Sequence, residues 1–242
     1  MKILLRRIHR WLGLLMAIQI VAWMSSGLYF TLFPISEIRG EHLTREPQGI
    51  VAADIVSAAS AEAILSALDE HFQADWTIES VSLAALDDHA LWQVAGRAEG
   101  RPFRRLVDPG TGSVRPALSK KQAETRAAWW LKEPREAVAS EWVDPDTADN
   151  DFRGRGMAAW KVDFAGGEPV SLYIDPWTGD LLARRTTRWR LFDFMWMLHI
   201  MDYDTRDDFN HPLLQAAALL GLVVALSGFV YWTLSRRRRQ NA

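Results

Sequence analysis

All 30 acidic residues of this 242-residue chain fall between Glu37 and Asp208, whereas the two ends carry only Lys and Arg, beside long apolar runs. Trp11 to Phe33 and Pro212 to Leu234, 23 residues each, hold no charged side chain. As a helix rising 1.5 Å per residue, either run covers a hydrocarbon core of roughly 30 Å. Both are expected to cross a bilayer. Lys2, Arg6, Arg7 and Arg10 precede the first run and Arg236 to Arg239 follow the second. That excess of positive charge predicts cytoplasmic termini in a bacterial inner membrane, with the 178 residues from Pro34 to His211 on the periplasmic side. The first run is too long for a signal-peptide core, and no small-residue cleavage site follows it, so it reads as an uncleaved anchor.

The formal net charge of −2 hides this division, because the middle carries 30 acids against 20 bases. Such a balance argues against nucleic acid as a partner. The four-Arg tail reads as a stop-transfer anchor on anionic lipid. With no cysteine in the chain, disulfides, thiolate catalysis and cysteine-held iron–sulfur clusters are excluded. No Ser/His/Asp order, H-E-x-x-H, Walker loop or G-x-G-x-x-G occurs, which argues against hydrolase, zinc peptidase and nucleotide-binding readings.

The middle region repeats itself. Leu106-Val-Asp-Pro-Gly-Thr-Gly-Ser-Val114 returns 67 residues later as Tyr173-Ile-Asp-Pro-Trp-Thr-Gly-Asp-Leu181. Each copy predicts strand, tight turn, strand. Pro presets φ, Asp bonds the backbone two residues on, and Gly112 or Gly179 accepts the positive φ that closes the turn. Upstream of each turn lies a helix signal. From Ser60 onward Ile64, Leu65, Leu68 and Phe72 share one stripe, and Ser119-Lys-Lys-Gln opens the second copy with capping-box spacing. Trp76 to Val81, Ala90 to Ala95 and Trp160 to Phe164 alternate as half-buried strands do. The expected fold class is an α+β membrane protein, with two transmembrane helices bracketing a tandem of helix-plus-antiparallel-sheet units joined near Arg115 to Ser119.

This duplicated unit ending in Asp-Pro-x-Thr-Gly resembles the PepSY domain. Ile8-His9-Arg10-Trp11-Leu12-Gly13 with Ser26-Gly27 in the first run, and Leu198-His199 with Leu226-Ser227-Gly228 around the second, resemble PepSY-associated transmembrane proteins. Larger members of that family have four or more spans, so a two-span chain looks like a reduced version. The resemblance implies, as in members that are ferric-siderophore reductases, b-type haem held between histidines of the membrane helices. Other members have no established activity.

Three of the six histidines, His9, His199 and His211, stand at the predicted membrane boundaries and are the candidate haem-iron ligands. For each a bland role competes. His9 beside Arg10 and Trp11 suits a snorkelling anchor, and His211 before Pro212 suits a capping region, with Asn210 as cap. His199 shares a helical stripe with Trp189, Phe192 and Trp196, which suits a haem edge or a helix lying in the interface plane with Trp at headgroup depth. His9 is separated from the other two by the full bilayer, so a haem at its end needs a second copy of the chain. Small residues at four-residue spacing, Ala217, Gly221 and Ala225 in the second span and the pairs Gly13 with Ala17 and Ala22 with Ser26 in the first, serve a homodimer or the pairing of the two spans equally well. Two acidic clusters, Asp144, Asp146, Asp149 and Asp151, and Asp202, Asp204, Asp207 and Asp208, are read as solvated loops in preference to metal sites.

The resulting plan has a basic N-terminus (1–10), a first span (11–33), two PepSY-like units (34–116 and 117–186), an interfacial helix with acidic loop (187–211), a second span (212–234) and an Arg-rich tail (235–242). The functional expectation is a haem-b electron-transfer protein or ferric-chelate reductase in iron acquisition. Its alternative is a non-enzymatic assembly, inhibitory or sensory subunit of a membrane complex.

Overall fold

The computed structural model describes residues 2–47, 61–72, 75–86, 89–147 and 151–240. Ser60, Asp149 and the chain ends 1 and 241–242 lie outside them. The chain divides into two compact units, 39–187 and the pair of segments 1–38 with 188–242.

The 39–187 unit contains both copies of the repeat. In the first, helix α3 (Ala61–His71) lies on an antiparallel meander of β1 (Trp76–Leu86), β2 (His89–Ala98) and β3 (Arg101–Val107). Ile64 and Leu68 bury against Val94, Phe103 and Val107, with Phe72 packed beside them. Leu65, expected on that stripe, is instead exposed. The stripe that the sheet covers runs through Ile64 and Leu68 to Phe72, and Leu65 lies at its flank. In the second copy, α4 (Lys120–Trp130) lies on a four-stranded sheet, β4 (Ala137–Val143), β5 (Ala159–Phe164), β6 (Val170–Ile174) and β7 (Leu181–Thr186). Ala127, Trp130 and Leu131 bury there against Val162, Phe164, Leu172 and Ile174. The capping box forms, with Ser119 Oγ accepting from the Gln122 amide and Gln122 reaching back to the Ser119 amide. Strand β4 was not anticipated; Ser140 and Glu141 interrupt its apolar pattern at the sheet edge.

The two Asp-Pro-x-Thr-Gly turns match bond for bond. Gly112 N donates to Asp108 O and Gly179 N to Asp175 O, both at 2.9 Å. Asp108 N bonds Ser113 O as Asp175 N bonds Asp180 O. Asp108 Oδ1 collects the amides of Gly110 and Thr111, and Asp175 Oδ1 those of Trp177 and Thr178. The closing glycines have φ 69° and 73°. Beyond the turn the copies diverge. The second continues as β7, but the first makes only the Val107–Val114 bridge, so the strand expected there does not form. Pro116 follows two residues later, lacking an N–H and restraining Arg115.

Their surroundings differ as much. The first turn is open to solvent, whereas Asp175, Pro176, Thr178 and Gly179 are buried. Arg104 from β3 reaches Asp175 at 3.4 Å and Asp180 at 2.8 Å, and the Arg105 guanidinium lies 4.1 Å over the Trp177 ring. Burial pushes Arg105 down to about 10, opposed by Asp175. The same turn chemistry therefore titrates in opposite directions. Backbone donors, Thr111 foremost, lower Asp108, while burial raises Asp175 despite its own donors.

The other unit is helical: α1 (Lys2–Leu32), the short α2 (Ile35–Ile38), α5 (Thr187–Ile200) and α6 (Pro212–Gln240). Arg6–Leu32 and Pro212–Thr233 are long and apolar enough to cross a membrane. Ile18, Leu14, Leu219 and Phe229, among others, expose well over half their surface, as lipid-facing side chains do. Met16, Ala217 and Val224 bury in the α1–α6 seam, flanked by Leu12, Ile20, Trp23 and Leu220. Gly221 lies on Trp23 and Met16, and Gly13 on Val224. The stripe thus serves the pairing of the spans within the chain at Ala217 and Gly221, while Ala225 points away.

Candidate functional site

Helix α5 runs alongside α1. Tyr29 Oη donates to Arg188 O, Phe30 meets the Phe192 ring at 4.9 Å and the His199 ring at 5.5 Å, and Gln19 Nε2 donates to Leu198 O. Partners on α1 thus step from residue 29 back to 19 as α5 advances. The aromatic stripe forms as expected over Phe192, Trp196 and His199, whose rings stack nearly parallel, and Phe30 and Phe209 pack on Trp196.

A helix end leaves carbonyls without intrahelical partners, and in an apolar setting each must be satisfied. At the end of α5 three side chains do this: Gln19 at Leu198 O (2.9 Å), Trp23 Nε1 at His199 O (2.7 Å) and His211 Nε2 at Ile200 O (2.9 Å). His211 therefore donates from Nε2. Asn210 engages through its carbonyl, which accepts from Gln215 Nε2. The loop between α5 and α6 is organised by Asp202. Its carboxylate takes the Thr205 hydroxyl and the amides of Asp204, Thr205, Asp207 and Asp208. Those donors, Thr205 foremost, hold it below the usual carboxylate range. Arg206 pairs with the buried Asp193. Among the described residues no cluster of three or more His, Cys, Asp or Glu is arranged to hold a metal ion.

His9 and His199 share one arrangement at opposite ends of the spans. His9 Nδ1 lies 3.0 Å from Ser227 Oγ and 3.1 Å from Val224 O. The Ser227 hydroxyl donates to Val224 O, so the histidine nitrogen is the donor to both oxygens. His199 Nδ1 lies 2.7 Å from Ser26 Oγ, whose hydroxyl donates to Ala22 O at 2.7 Å. At His9 the carbonyl partner makes Nδ1 the donor, whereas the Ser26 hydroxyl at His199 Nδ1 can donate or accept. Gly228 makes room for the first pair, since a Cβ there would come within 2.9 Å of His9 Cε1. Along α1 the rise from His9 to Ser26 is about 25 Å, so the structure brings His199 and His211 to one end and leaves His9 at the other. The sequence places Ser26 only in the small-residue stripe and gives Ser227 no partner, so both histidine contacts are found in the structure alone. The signal of the serines was a hydroxyl next to a glycine inside an otherwise apolar run.

A family model described as the PepSY-associated TM region matches residues 6–242. The chain belongs to the PepSY-associated transmembrane family. No curated protein and no solved structure matches it. In this PepSY-associated protein a serine of each span meets one histidine, Ser26 at His199 and Ser227 at His9, and Gly228 lies against the His9 ring.

Proposed function

We propose that this membrane protein binds b-type haem and works in electron transfer, as a ferric-chelate reductase in iron acquisition. The observation that supports this is the shared placement of His9 and His199, each with Nδ1 against a serine Oγ of a span, at 3.0 Å and 2.7 Å. A histidine that ligates iron donates its other ring N–H to a fixed acceptor, which sets the tautomer and aims the lone pair. Val224 O and Ser227 Oγ are such acceptors for His9, where Gly228 supplies the space, and Ser26 Oγ can serve His199 in the same way. Haem, when bound, supplies the one-electron chemistry. Ser227 and Ser26 orient the two imidazoles. Because the chain has one histidine at the His9 end, a second copy donates the other ligand there in this reading. At the opposite end His199 offers Nε2, and His211, whose Nε2–H is engaged, offers Nδ1.

The charge division supports an inner-membrane location with both ends cytoplasmic and the 39–187 unit periplasmic. A reporter active only in the periplasm should work when fused after Glu99, and activity from a fusion after Asn241 would overturn this orientation. For the cofactor, protein purified with ample haem should show a b-type spectrum that shifts on dithionite reduction. His9→Ala and His199→Ala should each remove part of it with the fold intact. A colourless wild-type preparation would remove the redox reading and leave the alternative, a non-enzymatic assembly, inhibitory or sensory subunit of a membrane complex.

A further inference from the structure

The internal duplication provides its own control, because the same turn is closed in one copy and open in the other. Helices α3 and α4 are both 11 residues long. Aligned end to end, their buried positions coincide: Ile64 with Ala123, and Leu68 with Ala127. In the second copy the helix seals the turn. Arg126 Nε and Trp130 Nε1 both donate to Gly179 O at 3.0 Å, and the Arg126 guanidinium rests 4.2 Å over Trp129. In the first copy Arg126 corresponds to Ala67, Trp129 to Glu70 and Trp130 to His71. His71 is turned to β3, where its Nε2 accepts from Arg105 Nε at 3.0 Å. What remains is a cleft of about 580 Å³ between Ser66, Ala67, Glu70 and His71 on the helix and Thr111 and Gly112 on the turn.

We infer that this cleft receives an arginine side chain from a partner protein, which takes the place that Arg126 fills in the second copy. The acceptor is the same: a carbonyl at the closing glycine of an identically bonded turn, with φ 69° against 73°. The support beneath the cation changes from an aromatic face to a carboxylate. Trp129 holds Arg126 through its ring, and Glu70, exposed at the matching position, holds an incoming guanidinium through its charge. Arginine suits the space better than lysine, since its planar fork can reach a carbonyl and a carboxylate together. The acidic balance of the middle region, 30 acids to 20 bases, favours a basic partner. The inference stands apart from haem binding and does not depend on it.

The test uses the full chain in detergent. Because it has no cysteine, Ser66→Cys gives a single attachment point for a fluorine tag on the cleft wall. The probe is acetyl-Ala-Arg-Ala-amide, compared with the same peptide carrying citrulline, which keeps the shape and loses the charge. The arginine peptide should shift the fluorine resonance saturably. The citrulline peptide should bind about fivefold more weakly, and Glu70→Gln should weaken the arginine peptide about threefold, as expected for a surface charge contact. Ala67→Arg, which supplies the missing side chain from within, should abolish the shift. Equal binding of the two peptides, undiminished binding to Ala67→Arg, or no shift up to the solubility of the peptide would each overturn the proposal.

Discussion

Gly179→Val should destabilise the 39–187 unit by about 4 kcal/mol, whereas Gly112→Val at the matching position should cost only about 1 kcal/mol. Both glycines adopt a left-handed backbone, φ 73° and 69°, which a β-branched residue strongly disfavours. That shared strain sets the smaller cost. At Gly179 a second cost is added, because a Cβ would stand 3.0 Å from Leu86 Cδ1 and 3.1 Å from Arg126 Nε. The new methyls would also push away the Arg126 and Trp130 donors that meet Gly179 O. Gly112 lines the open cleft and carries no comparable seal from its helix. Denaturant unfolding of the purified full chain, wild type against each variant, measures the difference. Equal losses would mean that burial of the second turn contributes nothing beyond the backbone conformation.

The other large effect is expected at the seam of the spans. Gly228→Val should remove the His9-dependent part of the haem spectrum as completely as His9→Ala does, without touching the ligands themselves. The added Cβ alone would lie 2.9 Å from His9 Cε1 and 3.5 Å from its Nδ1 and Nε2, so the ring must leave its place. With it go the hydrogen bonds from Nδ1 to Ser227 Oγ and Val224 O. The His199-dependent part should persist, since its partner Ser26 lies about 25 Å away along α1. Ser227→Ala should act more gently, weakening haem retention about tenfold through loss of an orienting acceptor, and Ser227→Thr should restore it. A Gly228→Val protein with the full spectrum and the wild-type reduction potential would show that His9 is a structural contact between the spans.

Much of this molecule is legible from residues close together in the chain. Two uncharged runs of 23 residues flanked by basic clusters predict the membrane helices, because a bilayer reads length and charge without reference to the rest of the fold. The Asp-Pro-x-Thr-Gly turns and the Ser119 capping box follow for the same reason: every bond in them closes within five residues. The second strand of the first copy fails at Arg115-Pro116, a local cause that the repeat itself concealed by its likeness to the β7 side.

The sequence alone thus determined the spans, the duplication and the type of each turn, all of which rest on short-range sterics and on the period of apolar residues. Only the tertiary structure decided which of two identical turns is buried, and therefore why Asp108 is lowered while Asp175 is raised. It likewise decided that α5 follows α1, with Gln19, Trp23 and His211 satisfying its last carbonyls, and that Ser26 and Ser227 meet the rings of His199 and His9. Those outcomes depend on desolvation and on polar partners far apart in the chain. Neither has a periodic signature in sequence, because a buried carbonyl accepts any donor that the packing brings to it.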